Sequence, residues 1–346
     1  MNEIIGLDIT QLETLIVDIG ESKFRAKQLF SWFHEKLVWD YDDMTNISIP
    51  LRTKLKETYP IQKLNIEQKY KSDIDGTTKY LFELPDGNII ESVLMRYKHG
   101  NSVCISTQVG CRMGCMFCAS TINGLVRDLT VAELLGQVYS IINDIGERVS
   151  NVVLMGSGEP FEMLDTVVKF VELINNDKGQ NIGQRHITVS TCGIVPEIIN
   201  LADKNLQITL AISLHAPTDD KRKEIMPIAN KYTIEQLLDA CKYYTTKTNR
   251  RITFEYALIL GKNDTKDEAT QLANLLKGLL CHVNLIPVNP VAEREFESTS
   301  ESGVQDFQSV LKSYNIETTI RRKLGEDIEA ACGQLRNRYI KNRGDI

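Results

Sequence analysis

The chain has 346 residues, 42% of them hydrophobic, and a formal net charge of −6 from 40 Lys and Arg against 46 Asp and Glu. That length and apolar content suffice for a large packed core, which excludes a disordered chain or a disulfide-stapled miniprotein. The negative balance excludes indiscriminate nucleic-acid binding, and no apolar run is long enough to span a bilayer or to act as a secretory segment, so a soluble cytoplasmic protein without a membrane partner is expected.

Residues 1–75 read as a small helical accessory domain: Thr10 opens an apolar-periodic stretch, and Phe24, Ala26, Leu29, Phe30 and Phe33 fall near one helix face. Residues 76–98 read as a β-hairpin connector, with strands over 79–84 and 89–95 joined by Pro85-Asp86-Gly87-Asn88 and with Glu91 on the second strand. Residues 99–325 then alternate short apolar strands with amphipathic helices. Strands are predicted over 103–107, 151–155, 186–190, 207–213, 251–260 and 282–287, and helices over 130–143, 164–175, 196–203, 233–247, 266–279 and 304–313. The fold class is α/β, a partial (βα)6 barrel; a doubly wound open sheet is the alternative, which periodicity does not separate from it. Residues 326–346 form a C-terminal segment carrying Cys332.

In either architecture functional groups gather where strands end. The run Gly110-Cys111-Arg112-Met113-Gly114-Cys115-Met116-Phe117-Cys118 follows the first core strand and Gly156-Ser157-Gly158-Glu159-Pro160 the second. Ser190-Thr191 ends the third, Ser213-Leu214-His215 the fourth, and Asn289 follows the sixth.

Cys111, Cys115 and Cys118 offer three thiolates within eight residues. Three ligands on a four-iron cubane leave one iron open to a small chelating molecule. Structural zinc is the competing reading, but it favours four ligands in two short pairs and no second pair lies nearby. Cys192, Cys241 and Cys281 read as small buried side chains. Gly156-x-Gly158 lacks the third glycine of a dinucleotide fingerprint because position 161 is Phe161. A glycine turn bearing Glu159 suits an ammonium group instead.

CxxxCxxC followed by Gly156-Ser157-Gly158-Glu159-Pro160 resembles the radical S-adenosylmethionine superfamily. The runs 103–111, 211–217, 284–290 and 327–335 narrow the resemblance to the RlmN/Cfr family of RNA methyltransferases, over nearly the whole chain. The resemblance implies a [4Fe-4S] cluster on Cys111, Cys115 and Cys118, and two S-adenosylmethionine molecules per turnover. Gly158, Glu159, Ser190, Ser213, Leu214, His215 and Asn289 would contact the cofactor. It further implies that Cys332 accepts a methyl group and passes it as a radical to an adenine ring carbon, and that Cys104 resolves the resulting RNA adduct through a transient disulfide. Glu91 would be a general base or adenine-contacting carboxylate.

The implied substrates are adenosine 2503 of 23S rRNA and adenosine 37 of tRNA, methylated at C2. The implied partner is a one-electron reductant such as flavodoxin or ferredoxin, and the chain would act as a monomer. Pro160 and Cys118-Ala119-Ser120-Thr121 resemble the C2-methylating branch more than the C8-methylating, Cfr-type branch. A non-enzymatic RNA-binding protein with a structural metal is the alternative from another class. With RNA as substrate, Lys221, Arg222, Lys223, Arg250, Arg251, Arg321, Arg322, Arg336, Arg338, Lys341 and Arg343 become candidate phosphate contacts.

Overall fold

The computed structural model describes residues 3–335. Its N-terminal part contains α1 (Ile9–Asp18), α2 (Phe24–Phe30) and α3 (Ile49–Thr58). Asp8 starts α1 with a capping box, its side chain accepting the Gln11 N–H while the Gln11 side chain returns to the Asp8 N–H. These helices share one continuous hydrophobic core with the rest of the chain, through Phe30, Phe33, Leu37 and Leu64 among others. The residues after α2 reach α4 (Val131–Ile145), where His34 Nδ1 lies 3.0 Å from the Tyr139 hydroxyl and Asn143 Nδ2 donates to Leu37 O at 3.1 Å. Close approach is possible because Gly136 has no side chain: a Cβ there would lie 2.9 Å from Leu64 and 3.0 Å from Trp39.

Three strands follow the helices, β1 (Asn65–Lys71), β2 (Thr78–Glu83) and β3 (Ile89–Tyr97), paired antiparallel in sequence order. The segment expected to be mainly helical therefore ends in a strand. The cause is edge pairing: the polar sequence of β1 has little apolar alternation of its own, and its backbone is held by the register against β2. The hairpin is no separate connector, because β3 pairs antiparallel with β4 (Gly100–Cys104) and so extends the main sheet.

From β4 the sheet is parallel through β7 (Val149–Leu154), β8 (Ile187–Thr191), β9 (Thr209–Ser213), β10 (Ile252–Leu258), β11 (Cys281–Pro287) and β12 (Thr318–Ile320). A short hairpin, β5 (Gln108–Gly110) with β6 (Leu125–Asp128), brackets the cysteine run outside this sheet. The helices α5 (Leu164–Asn175), α6 (Val195–Asp203), α7 (Asp219–Ile225), α8 (Ile234–Thr248), α9 (Lys266–Leu276) and α10 (Glu301–Ser313) lie between the strands. The parallel strands stand in the sheet in the order in which they occur in the chain.

Right-handed crossovers that all step in one direction place every helix on the same face, so the sheet is singly wound, as in a barrel, and has no switch point of the doubly wound kind. Its outermost strands, β1 and β12, do not pair with each other, which leaves the barrel partial. The expected six strand-helix units are present. Beyond them stand α7, the β5–β6 hairpin and β12, a three-residue strand too short to register as a pattern, which pairs with β11 and carries the chain to Arg321.

Candidate active site

The cysteine run is shaped by its glycines. Gly110 has φ +75°, and a Cβ there would lie 2.0 Å from the Gly124 carbonyl oxygen, which also accepts the Cys111 N–H. The Thr121 hydroxyl lies 3.1 Å from the Cys115 carbonyl and 2.9 Å from that of Cys118, and the Met116 N–H donates to Ile225 O at 2.9 Å. The loop is thus held from both sides. Burial pushes the Cys111 thiol up to about 12 and those of Cys115 and Cys118 upward, so binding of a metal cluster by their thiolates would release protons.

These cysteines open on a cavity at the C-terminal ends of the parallel strands. Gly158, Glu159, Ser190, Ser213, His215, Asn289 and Cys332 line the same cavity. The strand-end rule therefore brings together side chains from β7, β8, β9 and β11 in front of the cysteine run. Among the described residues no three His, Cys, Asp or Glu side chains converge on a point that one metal ion could occupy. A cubane takes each thiolate on a different iron, so three cysteines suffice for it where structural zinc takes four ligands. The donor set and the cavity before it fit a cluster held by Cys111, Cys115 and Cys118.

Individual positions differ from expectation in ways that matter chemically. Glu159 is buried, and its carboxylate is turned into the end of β8: Oε2 accepts the Cys192 N–H at 2.7 Å and Oε1 the Phe161 N–H at 3.0 Å, with the Thr191 hydroxyl and Cys192 thiol also bonded to it. The side chain expected to take an ammonium group thus lines the cavity and also braces the glycine turn. Gly158 has φ +110°, and a Cβ would lie 2.6 Å from Thr107 Oγ1 and 2.7 Å from the Gln108 backbone nitrogen. Gly158→Ala is therefore expected to destabilise the fold by roughly 2 to 4 kcal/mol, read as a lowered Tm; an unchanged Tm would show that the turn relaxes freely.

Leu214 is fully buried and is not part of the cavity wall; only its backbone is engaged, its carbonyl accepting from Arg222 Nε. His215 Nδ1 accepts the Ala257 N–H at 2.9 Å, so its neutral ring carries the proton on Nε2. Burial, and then the charge of Arg222, draws its pKa down to about 3, which keeps the ring neutral.

Cys332 reaches the cavity because residues 325–335 are tied at both ends. Gly325 N–H donates to Asp75 Oδ2 and Lys79 Nζ to Glu329 O, which anchor the segment to β2 and the turn before it. Ala119 N–H then donates to Gly333 O at 2.7 Å, Ser120 Oγ to Leu335 O at 2.7 Å, and Asn289 Nδ2 to Cys332 O at 3.1 Å. Cys332 also lines a second cavity, shared with Cys104, Val93, Met95 and Arg321. All eight cysteines are free thiols. Burial, and next the neighbouring Cys332, pushes the Cys104 thiol up to about 12.

Glu91 is buried and lies on the wall of neither cavity, but strand alternation puts it on the same face of β3 as Val93 and Met95, which line the second one. Its carbonyl accepts the Ser106 hydroxyl at 2.7 Å.

The basic stretches are mostly committed within the protein. Lys221 pairs with Glu268 and Arg251 with Glu317, Arg250 faces Ile208 O and Thr209 Oγ1, and Arg222 has no exposed surface at all. Arg321 is half-buried on the wall of both cavities, facing the thiols of Cys332 and Cys104. Lys223 and Arg322 remain exposed. Arg336, Arg338, Lys341 and Arg343 lie outside the described residues.

Glu255, absent from the sequence reading, is buried on the wall of the first cavity and accepts Asn284 Nδ2 at 2.8 Å. Its only sequence signal was a charge inside an apolar strand.

Residues 2–61 match the ribosomal RNA large subunit methyltransferase N-terminal domain family, and residues 105–276 match the radical SAM superfamily. The chain is 57% identical over 342 residues to a probable dual-specificity RNA methyltransferase RlmN of Clostridium novyi (strain NT), covering 99% of this chain and 100% of that one. It is 58% identical over 343 residues to the equivalent protein of Clostridium botulinum (strain Eklund 17B / Type B), covering 99% of each. Among solved structures, a radical SAM methyltransferase from Sphaerobacter thermophilus superposes with a TM-score of 0.93 at 42% identity, covering 96% of this chain and 98% of that one.

Proposed function

Since the chain belongs to the RlmN family of radical S-adenosylmethionine RNA methyltransferases, we propose that it methylates C2 of adenosine 2503 in 23S rRNA and of adenosine 37 in tRNA by way of an S-methylated Cys332. The observation that carries this reading is the place of Cys332, on the wall shared by the cluster cavity and the Cys104 cavity. A thiol there meets a cofactor on one side and an incoming base on the other.

An electron-poor adenine carbon does not attack a methyl sulfonium, whereas a thiolate does so readily. Cys332 therefore takes the methyl group first. A cluster held by Cys111, Cys115 and Cys118 would supply the single electron that cleaves a second S-adenosylmethionine and so allow hydrogen to be removed from that methyl group. Asn289 holds the Cys332 carbonyl, and the links to Ala119 and Ser120 hold the sulfur beside the cysteine run. Arg321 sets a positive charge beside both reactive thiols. Once the methylene radical has added to C2, the adduct sheds one electron, which a cluster on the three cysteines would take back, and passes its C2 proton to a base, leaving a closed-shell carbon-sulfur link to Cys332; the base assigned is Glu91, on the same face of β3 as Val93 and Met95 of the Cys104 cavity. The Cys104 thiolate then attacks the Cys332 sulfur, the carbon-sulfur electron pair passes to the methylene carbon, which takes up one proton to become the methyl group, and a disulfide remains for external reduction. The chain acts as a monomer in the cytoplasm, with flavodoxin or ferredoxin as electron donor.

Incubating the reconstituted enzyme with methyl-labelled cofactor and each purified RNA, followed by nucleoside mass spectrometry, tests both substrate and position. The expected product is 2-methyladenosine in both RNAs. An 8-methyl product would replace the C2 assignment by the Cfr-type one, and unlabelled tRNA would remove the second substrate.

A further inference from the structure

Arg222 sits on α7 with 0% of its surface exposed. Its Nε donates to Leu214 O at 3.1 Å, and its Nη2 donates to Cys192 O at 2.6 Å and Ser213 O at 3.2 Å. Its Nη1 is buried with no hydrogen-bond partner. No carboxylate of the described residues lies within 4.0 Å of this guanidinium. Asp219, one turn earlier, accepts the Ile234 N–H instead, and Glu159 is occupied by Cys192, Thr191 and Phe161.

An arginine cannot shed its proton to escape such a place, and carbonyl dipoles offset desolvation without supplying a net negative charge. The missing anion has one location that the packing indicates. The last residue of α7, Ile225, accepts the Met116 N–H from the middle of the cysteine run, and Ile225 and Met226 pack in one cluster with Met113, Cys115, Phe117 and Cys192. A cubane on three thiolates is anionic and becomes more so with each added electron.

Resting on the reading that Cys111, Cys115 and Cys118 hold such a cluster, we infer that Arg222 is its buried counter-charge, favouring the reduced form through space without touching cluster or substrate. The step it favours is the entry of one electron from an external reductant, with no bond broken and no proton moved. Gly193, with φ +105°, lies beside it: a Cβ there would lie 3.1 Å from Leu237 Cδ1 and 3.2 Å from Arg222 Nη2.

The test compares wild type, R222K and R222M, each reconstituted anaerobically with iron and sulfide and checked by far-UV circular dichroism and iron content. The cluster is titrated with dithionite and redox mediators and followed by electron paramagnetic resonance. R222M is expected to shift the reduction equilibrium at least about tenfold toward the oxidised cluster, about 59 mV for one electron, and R222K by clearly less. A folded R222M that cannot retain iron beside an R222K that can would support the same charge requirement. Wild-type potential and iron content in R222M would overturn the inference, as would equal losses in R222K and R222M. Wild-type protein that takes up no iron would instead refute the cluster reading itself.

Discussion

Replacing Cys104 by alanine is expected to leave RNA covalently attached to the protein. The thiol belongs to the last residue of β4, 5% exposed, and lines a cavity with Cys332. Once the adenine carbon is bonded to the Cys332 sulfur, water and protein bases have no easy way to break that carbon-sulfur bond. A second thiolate breaks it by taking the sulfur into a disulfide. Cys104→Ala removes that nucleophile without removing anything needed earlier. A single turnover with Cys104→Ala should therefore give a protein-RNA band on a denaturing gel that survives reducing agents and contains less than one released methyl group per enzyme. Normal release of methylated RNA from Cys104→Ala would eliminate the two-thiol route.

The pH dependence has a definite sign. Burial, the larger cause of the raised Cys104 thiol, persists when Cys332 is alkylated and uncharged, so the Cys104 thiol stays above its ordinary value and its thiolate fraction grows about tenfold per pH unit below that point. Where adduct release limits turnover, wild-type release should accelerate between about pH 7 and pH 9, while the trapped Cys104→Ala adduct should not respond. A release rate independent of pH would mean that the thiol is already ionised when RNA is bound.

The second large effect belongs to the cysteine run. Cys118→Ala leaves two thiolates where the open cubane needs three, so the protein should purify without brown colour and yield no 5′-deoxyadenosine when reduced in the presence of cofactor. The loop itself should survive, because its shape comes from backbone bonds to Gly124 and Ile225 and from the Thr121 hydroxyl. Cys332→Ala should behave oppositely, keeping iron and cofactor cleavage while producing no methylated RNA. Equal iron content in Cys118→Ala and wild type would remove Cys118 from the ligand set.

The cluster side of this site was legible in the linear chain because its chemistry is local. Spacing places Cys111, Cys115 and Cys118 in one loop, strand periodicity places Ser190, Ser213, His215 and Asn289 at strand ends, and parallel topology collects those ends. Orientation was not legible. Glu159 turned toward backbone donors because the Cys192 and Phe161 N–H groups stand within its reach, and Leu214 turned into the core because strand alternation gives the cavity only every second residue. The polar edge strand β1 and the three-residue β12 gave too little pattern to find, yet β12 leads directly into Arg321.

What the sequence by itself determined is therefore the α/β repeat, the three-cysteine loop and the set of strand-end residues, all consequences of periodicity and short spacing. Only the tertiary structure decided that the Cys332 loop is strapped across the cysteine run, that Cys104 and Cys332 share a cavity, and that Arg222 is buried without a carboxylate partner while Arg321 faces thiols. Those facts depend on contacts between residues far apart in the chain. Their geometry is set by which backbone groups remain to be satisfied once the core has packed, and no local pattern carries that information.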